Sequence, residues 1–127
     1  MVFTKLNREL AAKPKYVPTP DEIFLLNKAL AAAAQSDQRF RVGAASPTAV
    51  GYNSRLIHAE QSLVARCMAQ EGCGVGPIVA VARLGRKHDW RCSYPCHQCA
   101  GLLVRAGARR LVCFDEGGHP VALSLTV

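Results

Sequence analysis

The chain has 127 residues, half of them hydrophobic, and a formal net charge of +7 at pH 7. This length favours a single domain, and the lack of an apolar run of about 18 residues argues against a membrane span. The first residues, MVFTKLNRELAAKPKY, do not form the apolar stretch of a secretory signal, so we predict a cytoplasmic protein. In that location the six cysteines are better explained as thiols or metal ligands than as disulfides.

The predicted elements begin after a short N-terminal arm, residues 1–18, in which the prolines of KPKYVP favour an extended backbone. The main domain is predicted over residues 19–127. Thr19, Pro20 and Glu22 form the pattern of a capped helix start, and apolar residues at helical spacing extend this helix to about residue 35. RFRVGAA and TAVGYN follow as the two strands of a predicted hairpin.

The second half of the chain alternates helices and strands. HAEQSLVARCMAQ predicts a helix that ends at the glycines of EGCGVG, and the apolar run PIVAVARLG predicts a buried central strand. After the polar loop RKHDWRCSY, a helix is predicted in PCHQCAGLLVRAGA and strands in RRLVCFD and PVALSLTV. The short turn between these last two strands predicts that they are antiparallel. The whole order predicts an α/β fold, a three-layer α-β-α sandwich with a five-stranded mixed sheet.

Two short patterns contain metal-binding side chains. His58 begins one predicted helix, and Cys96 and Cys99 lie at the start of another, in PCHQC. Zinc prefers nitrogen and sulfur ligands, and three protein ligands leave a fourth position for water, as in catalytic sites. Glu60 lies two residues after His58, where a carboxylate can exchange protons with such a water. The sequence therefore predicts one zinc ion per chain, held by His58, Cys96 and Cys99, with Glu60 as the catalytic residue.

The combination of H-x-E with a later P-C-x-x-C is typical of zinc-dependent nucleobase deaminases. From about residue 20 onwards the chain resembles the cytidine deaminase superfamily, in RFRVGAA, GYN, HAEQSLV and PCHQC. The resemblance implies the same zinc ligands, with Glu60 as the proton shuttle. It also implies substrate contacts from Phe40, near the base, from Asn53, at the sugar, and from Ala59, whose backbone N–H would face the pyrimidine carbonyl.

The reaction implied by the resemblance is hydrolysis at C4 of a cytosine-type base, with release of ammonia. The antiparallel last strands resemble the branch of cytidine and blasticidin-type deaminases, whose members often form homo-oligomers, so a tetramer or dimer is implied. Three departures affect the substrate contacts. Arg55 stands where nucleoside deaminases usually have a sugar-binding glutamate, SRLI is short, and Ala100-Gly101 replaces the usual Arg-Gln. A cation at Arg55 suits a phosphate or another acidic substituent.

Some alternatives stay open at this point. The substrate is a nucleoside or nucleotide, or else a base in single-stranded nucleic acid, which the positive charge and the basic loop before the second metal motif favour. A non-catalytic zinc-binding module is a further alternative, although it would have no need of Glu60. Tyr94 either edges the pocket or packs in the core. Cys92 is either a spare ligand or a buried thiol, and the thiol is favoured.

Overall fold

The computed structural model describes residues 7–72, 74–85 and 89–125. Four helices and six strands lie in these ranges, and none of the helices is long and apolar enough to cross a membrane. The helices are α1 (Arg8–Ala12), α2 (Pro20–Ala33), α3 (Ala59–Glu71) and α4 (His97–Arg105). The strands are β1 (Arg41–Ala45), β2 (Val50–Tyr52), β3 (Ile78–Leu84), β4 (Trp90–Arg91), β5 (Arg110–Phe114) and β6 (Pro120–Ser124). Only α1 and β4 were not predicted.

The strands form one mixed sheet in the order β2-β1-β3-β5-β6. β3 and β5 are parallel, whereas β1 is antiparallel to both β2 and β3. β5 and β6 form the antiparallel pair that the short turn predicted. The two-residue strand β4 pairs with one end of β3, so the sheet has six strands where five were predicted. The mixed α/β fold is therefore confirmed, with one short strand added inside the segment predicted as a loop.

Helices cover both faces of the sheet. Along β3, Val79 and Val81 point into the core that α3 and α4 cover. The residues between them point the other way, so Ala80 and Ala82 contact the core that α2 covers. A strand buried on both faces has few polar residues, which is why PIVAVARLG has a nearly continuous apolar pattern. The architecture is the predicted three-layer sandwich.

α2 lies unusually close to the sheet because the residues between them are small. A Cβ atom on Gly43 of β1 would lie 2.0 Å from the carbonyl oxygen of Ala29 and 2.5 Å from the backbone nitrogen of Ala33. No side chain fits at this position. The helix begins with the predicted capping box, in which Thr19 and Glu22 each accept a hydrogen bond from the backbone N–H of the other.

Gly51 of β2 allows a similarly close contact between the sheet and a helix on the opposite face. This contact positions the start of α3. A Cβ atom there would lie 2.5 Å from the backbone nitrogen of Leu63 and 2.8 Å from the carbonyl oxygen of Ala59. The first turns of α3 therefore rest directly on the backbone of the β1–β2 hairpin. This contact places His58, the residue before the helix, close to the sheet.

The described part of the N-terminal arm packs against the domain. Leu10 of α1 is buried in the core on the α3 and α4 side. Tyr16 exchanges two backbone hydrogen bonds with Ala122 of β6, at 2.8 and 2.9 Å. The arm is extended at Tyr16, as the prolines predicted, and α1 is a short helix in front of it. Residues 1–6 of the predicted arm lie outside the described residues.

Candidate metal centre

The N-termini of α3 and α4 meet at one point on the same side of the sheet. His58 is the N-cap residue of α3, Cys96 is the N-cap residue of α4, and Cys99 lies in the first turn of α4. The ligand atoms of these three residues all lie within 4.8 Å of one another. The structure thus brings together the three ligands predicted from the sequence, in a group that could hold a metal ion.

The distance between His58 and Cys99 and the chemistry of this group fit a tetrahedral zinc ion. Cys99 Sγ lies 3.4 Å from His58 Nδ1. An ion about 2.3 Å from sulfur and about 2.0 Å from nitrogen holds tetrahedral ligands roughly 3.5–3.8 Å apart. Burial increases from His58, which is exposed, through Cys96, which is half-buried, to Cys99, which is buried. One imidazole and two thiols form a donor set that zinc prefers.

Local hydrogen bonds orient the backbone of the ligands. The backbone N–H of His58 donates to Oε1 of Gln61 at 2.8 Å. At the other helix, the carbonyl oxygen of Cys96 accepts from the backbone N–H of Ala100 at 2.8 Å, and Cys96 Sγ accepts from the backbone N–H of Cys99 at 3.5 Å. The ligands therefore surround two helix ends and do not lie along one helix face.

Glu60 lies in the first turn of α3, is only 4 % exposed, and lines the same pocket as His58 and Cys96. Burial raises the pKa of its carboxyl, while its backbone hydrogen bond and the charge of His58 partly oppose this increase. Burial also raises the pKa of the Cys99 thiol, and the nearby Glu60 and Cys96 raise it further. A bound cation would counteract these effects because it favours the thiolate and the carboxylate.

A pocket of about 310 Å³ opens beside the metal group, within the size range of small-molecule sites. All five residues predicted to contact the substrate line it, together with His58, Glu60 and Cys96. These five are Phe40, Asn53, Arg55, Ala59 and Tyr94. The structure therefore brings the predicted substrate residues to the same cavity as Glu60 and two of the three predicted metal ligands, His58 and Cys96.

Asn53 has a structural role that the sequence did not reveal. Its Oδ1 accepts from the backbone N–H of Val42 at 2.8 Å, and its Nδ2 donates to the carbonyl oxygen of Phe40 at 2.6 Å. The amide keeps one N–H and one lone pair for a ligand. These two bonds fix the orientation of Asn53 and hold the backbone of Phe40 at the pocket wall.

Tyr94 and Cys92 fit a structural interpretation as well. Tyr94 is nearly buried and packs in the same core as Leu10, yet it also lines the pocket, so both of its predicted roles are compatible with its position. Cys92 is half-buried, and burial raises the pKa of its thiol. Among the described residues the metal-binding group does not include Cys92, which agrees with the thiol interpretation.

Arg83 also lines the pocket, although it was not among the predicted substrate contacts. It is one of the basic residues before the second metal motif, and it lies within the run PIVAVARLG that predicted a buried strand. That strand is confirmed, because Arg83 lies in β3, opposite Arg91 of β4, and is the single charged residue of this otherwise apolar strand. Residues 86–88 of the predicted polar loop lie outside the described residues.

Solved cytidine deaminases share this fold. The enzyme from Mycobacterium tuberculosis is 24% identical in sequence, with a TM-score of 0.60. The aligned region covers 84% of this chain and 92% of that enzyme's chain. The enzyme from Mycobacterium leprae is 23% identical in sequence, with a TM-score of 0.61. The aligned region covers 84% of this chain and 95% of that enzyme's chain. No curated protein sequence matches the chain significantly.

The family relationship rests on a separate match. Residues 19–115 match the model for the cytidine and deoxycytidylate deaminase zinc-binding region. This match covers most of the chain and includes the residues of both metal motifs, which the fold brings together at the ends of α3 and α4. The chain therefore belongs to the family of cytidine and deoxycytidylate deaminases.

Proposed function

We propose that the protein is a zinc-dependent hydrolase that deaminates a cytosine-type base, in a nucleoside or nucleotide, to the uracil form. The main support is one observation: His58, Cys96 and Cys99 converge beside the buried Glu60, at a pocket large enough for a base. Family membership supports deamination in general. We further propose a cytosine substrate and the cytidine deaminase branch of the family.

In this proposal, His58, Cys96 and Cys99 hold one zinc ion per chain. Two thiolates and a neutral imidazole balance the charge of a divalent ion and leave one coordination position free. When bound there, the ion supplies the activation of a water molecule as a nucleophile. The chain's own contribution is to keep the three donor atoms close together at two helix ends.

Glu60 is the proposed proton carrier. In hydrolysis, the attacking water must lose a proton and the departing amino group must gain one. A carboxylate beside both groups can accept the proton from the water and deliver it to the amino group. Burial raises the pKa of Glu60 and so favours its protonated form, whereas a bound cation favours the carboxylate.

The remaining pocket residues suit a nucleoside. Phe40 is 42% exposed, and its ring offers an apolar surface for a base. Asn53 keeps one N–H and one lone pair that suit sugar hydroxyls. Ala59 lies at the first position of α3, where backbone N–H groups lack a partner within the helix, so its N–H suits the pyrimidine carbonyl. Arg55 and Tyr94, which also line the pocket, are further proposed substrate contacts.

We also propose a homo-oligomer, a tetramer or dimer, located in the cytoplasm. The support for the oligomer is the resemblance to nucleoside deaminases together with the apolar side chains at the pocket mouth. Leu56 is 87% exposed and Ile57 is 47% exposed, and a neighbouring copy would cover them. Light scattering on the purified protein measures the assembly; a monomer at all concentrations would contradict this proposal.

A deaminase of single-stranded nucleic acid is the second candidate, because Arg55 and Arg83 line the pocket. Salt dependence distinguishes the two candidates. Affinity for a polynucleotide falls steeply as salt increases, since bound counterions are released, whereas affinity for a neutral nucleoside changes little.

A screen of ammonia release tests the proposed function. Zinc-loaded protein is incubated with cytidine, deoxycytidine, their monophosphates and short single strands, and Glu60→Gln serves as the matched control. We expect ammonia and the corresponding uracil product from at least one cytosine compound, at a rate at least about 100-fold lower in the variant. If the zinc-loaded protein releases no ammonia from any of them, the non-catalytic zinc-binding module becomes the better explanation.

A further inference from the structure

The pocket contains more positive charge than the proposed chemistry uses. Arg55, which is exposed, and Arg83, which is half-buried, both line its wall. Glu60 is the single acidic lining residue in the described part of the chain, and it is buried beside the metal ligands. Within that part of the chain, no ion pair involves either arginine. The two guanidinium groups are therefore available to a ligand.

Phe40 holds one of these guanidinium groups in place. Arg83 Cζ lies 5.0 Å from the centroid of the Phe40 ring, and Arg39 Cζ lies 5.8 Å from the same centroid. Arg83 also belongs to β3, where its register with Val42 of β1 fixes its backbone. Stacking on a ring restricts the guanidinium plane but leaves its N–H groups free to donate. Arg83 is thus a preorganised cation next to the residue proposed to contact the base.

We propose that Arg55 and Arg83 form a phosphate-binding site at the pocket wall, and that the preferred substrate has a phosphate ester on its sugar. This inference rests on the proposed function, because it assigns a substrate class to the same pocket. Guanidinium groups bind phosphate oxygens through paired N–H donors, and such charge-assisted bonds are stronger than neutral ones. The phosphate is that of a free cytosine nucleotide or that of a single-stranded backbone, which present the same chemistry.

The test compares substrates with and without phosphate. kcat/KM is measured by ammonia release for cytidine, cytidine 5′-monophosphate and a short cytosine-containing single strand, at low and high salt. The variants are Arg55→Gln and Arg83→Gln. Arg105→Gln is the matched control, because Arg105 is an exposed residue of α4 that does not line the pocket.

We expect the pocket variants to lose activity specifically on substrates that contain a phosphate. Each pocket variant should lower the ratio of kcat/KM for the phosphorylated substrate to that for cytidine by about 10- to 100-fold, and Arg105→Gln should not change it. A preference for the monophosphate identifies the free nucleotide as the source. A preference for the single strand, with steep salt dependence, identifies the backbone. Equal ratios in the wild type and both pocket variants would overturn the proposal.

A binding measurement separates this proposal from the proposed function. Zinc-loaded Glu60→Gln is titrated with cytidine and with cytidine 5′-monophosphate in a calorimeter, so no turnover is needed. Tighter binding of the monophosphate, reduced by Arg83→Gln in the same background, supports the phosphate site even if the reaction differs from deamination. Equal binding of the two compounds would overturn the phosphate site even if the protein deaminates cytidine.

A second, independent observation concerns the segment in front of Cys96. Asn7 is polar but only 8% exposed. Its Nδ2 donates to the carbonyl oxygen of Pro95 at 3.1 Å, and its Oδ1 accepts from the backbone N–H of Leu10 at 3.2 Å. One side chain therefore connects the start of α1 to the residue directly before a proposed zinc ligand, across 88 positions of sequence.

The rest of the arm keeps Asn7 in position. The ammonium of Lys15 donates to the carbonyl oxygens of Leu10 and Ala11 at 2.8 and 3.0 Å, which closes the C-terminal end of α1. Leu10 is buried in the core, and Tyr16 pairs with Ala122 at the sheet edge. All of these arm residues precede the region that matches the deaminase family, which begins at residue 19.

We infer that Asn7 is a positioning residue for the metal centre. By holding the Pro95 carbonyl, it restricts the backbone at Cys96 and so keeps the Cys96 sulfur close to His58 and Cys99. This inference rests on the proposed zinc site. Partners that orient metal ligands typically change metal affinity by about 10- to 100-fold when they are removed.

The test uses a variant that keeps the helix cap but loses the donor. Asn7→Asp can still accept from Leu10 but cannot donate to Pro95. Thr19→Ala is the control, because it removes the N-cap of α2, which is remote from the ligand segment. Zinc transfer from the holoprotein to a chromogenic chelator is timed, and thermal unfolding is recorded for both variants.

We expect zinc transfer at least about 10-fold faster in Asn7→Asp than in the wild type, and an unchanged rate in Thr19→Ala despite its lower Tm. Asn7→Ala should behave like Asn7→Asp in zinc transfer. Wild-type rates in both Asn7 variants would overturn the inference. Equally accelerated transfer in Thr19→Ala would also overturn it, since that result reflects global stability alone.

Discussion

Cys99 Sγ lies 3.4 Å from His58 Nδ1, although 41 positions separate the two residues in the chain. The contact depends on the sheet. β1 and β2 support the start of α3, and the parallel pairing of β3 with β5 directs α4 back across the same face. Each helix then places its N-terminal residues at the same point. The three ligands therefore meet because of the topology of the sheet. Zinc binding should weaken when either the ligands or this packing are changed.

Replacing Cys99 by alanine should remove the metal and weaken the fold. Loss of a direct ligand should lower zinc affinity by more than about 100-fold, the upper range for outer partners, and the Tm should fall because metal binding is coupled to folding. Elemental analysis and thermal unfolding measure both effects. Cys92→Ala is the control, since Cys92 lines the pocket but lies outside the metal group. Full zinc content in Cys99→Ala would refute the ligand assignment.

Replacing Glu60 by glutamine should separate catalysis from structure. The side chains have the same shape, and Glu60 is not one of the three grouped ligands, so zinc content and Tm should stay near the wild-type values. The rate of ammonia release should fall by about 10²- to 10⁴-fold, the usual contribution of a positioned proton carrier. Turnover close to the wild-type rate would exclude Glu60 from the mechanism.

Replacing Gly51 by alanine should displace the start of α3. The added methyl group would lie 2.5 Å from the backbone of Leu63, so the helix must move, and overpacking of this kind costs about 1–3 kcal/mol. Denaturant unfolding measures this loss, and zinc content should fall with it. Gly101→Ala in α4 is the control. Its methyl group meets only the flexible end of Arg105, so it should be neutral or slightly stabilising.

If Gly51→Ala unfolds at the wild-type denaturant concentration and retains full zinc, the close contact between β2 and α3 is not what positions His58. A comparable loss of stability in Gly101→Ala would show that any methyl group in this layer is destabilising, which the structure does not predict.

The ion pair between Glu22 and Arg110 on the opposite face should make stability depend on pH. Arg110 holds the pKa of the Glu22 carboxyl below its ordinary value, through two hydrogen bonds, one of them at 3.2 Å. Because the folded pKa is below the unfolded one, this stabilisation is complete above the unfolded pKa. It is lost as pH falls through the folded pKa.

Glu22→Gln should therefore lower the free energy of unfolding by about 1–2 kcal/mol at neutral pH, a modest value because Arg110 is partly exposed. The difference from the wild type should shrink as pH falls from neutral into the acid range, because Glu22 becomes protonated there. Denaturant titrations at neutral pH and at a series of acid pH values measure it. A difference of the same size in acid would show that the charge of Glu22 is not responsible.

Local sequence signals were enough for most of the fold. Caps, apolar periodicity and turn residues predicted α2, α3, α4 and five strands. The same signals could not predict α1 or β4. A five-residue helix is not stable alone, and α1 depends on the burial of Leu10 and on the bond from Asn7 to Pro95. The two residues of β4 form a strand only because β3 lies beside them.

Local sequence patterns likewise predicted some of the pocket residues, but not the contacts that depend on how distant segments pair. The metal ligands and Glu60 could be proposed from residue types at predicted helix starts, together with the family resemblance. That Arg83 lines the pocket could not be predicted, because this depends on the register in which Val42 pairs with it. The hydrogen bonds of Asn53 to Phe40 and Val42 likewise depend on how the β1–β2 hairpin closes.

X-ray absorption at the zinc edge, on protein purified without added metal, measures the metal content and the metal ligands together. We expect one zinc ion per chain, with two sulfur ligands at about 2.3 Å and two nitrogen or oxygen ligands at about 2.0 Å. One of the latter should be the imidazole of His58, so the signal of that ring should disappear in His58→Ala. Protein without zinc, or zinc with four sulfur ligands or with none, would contradict the proposed zinc site.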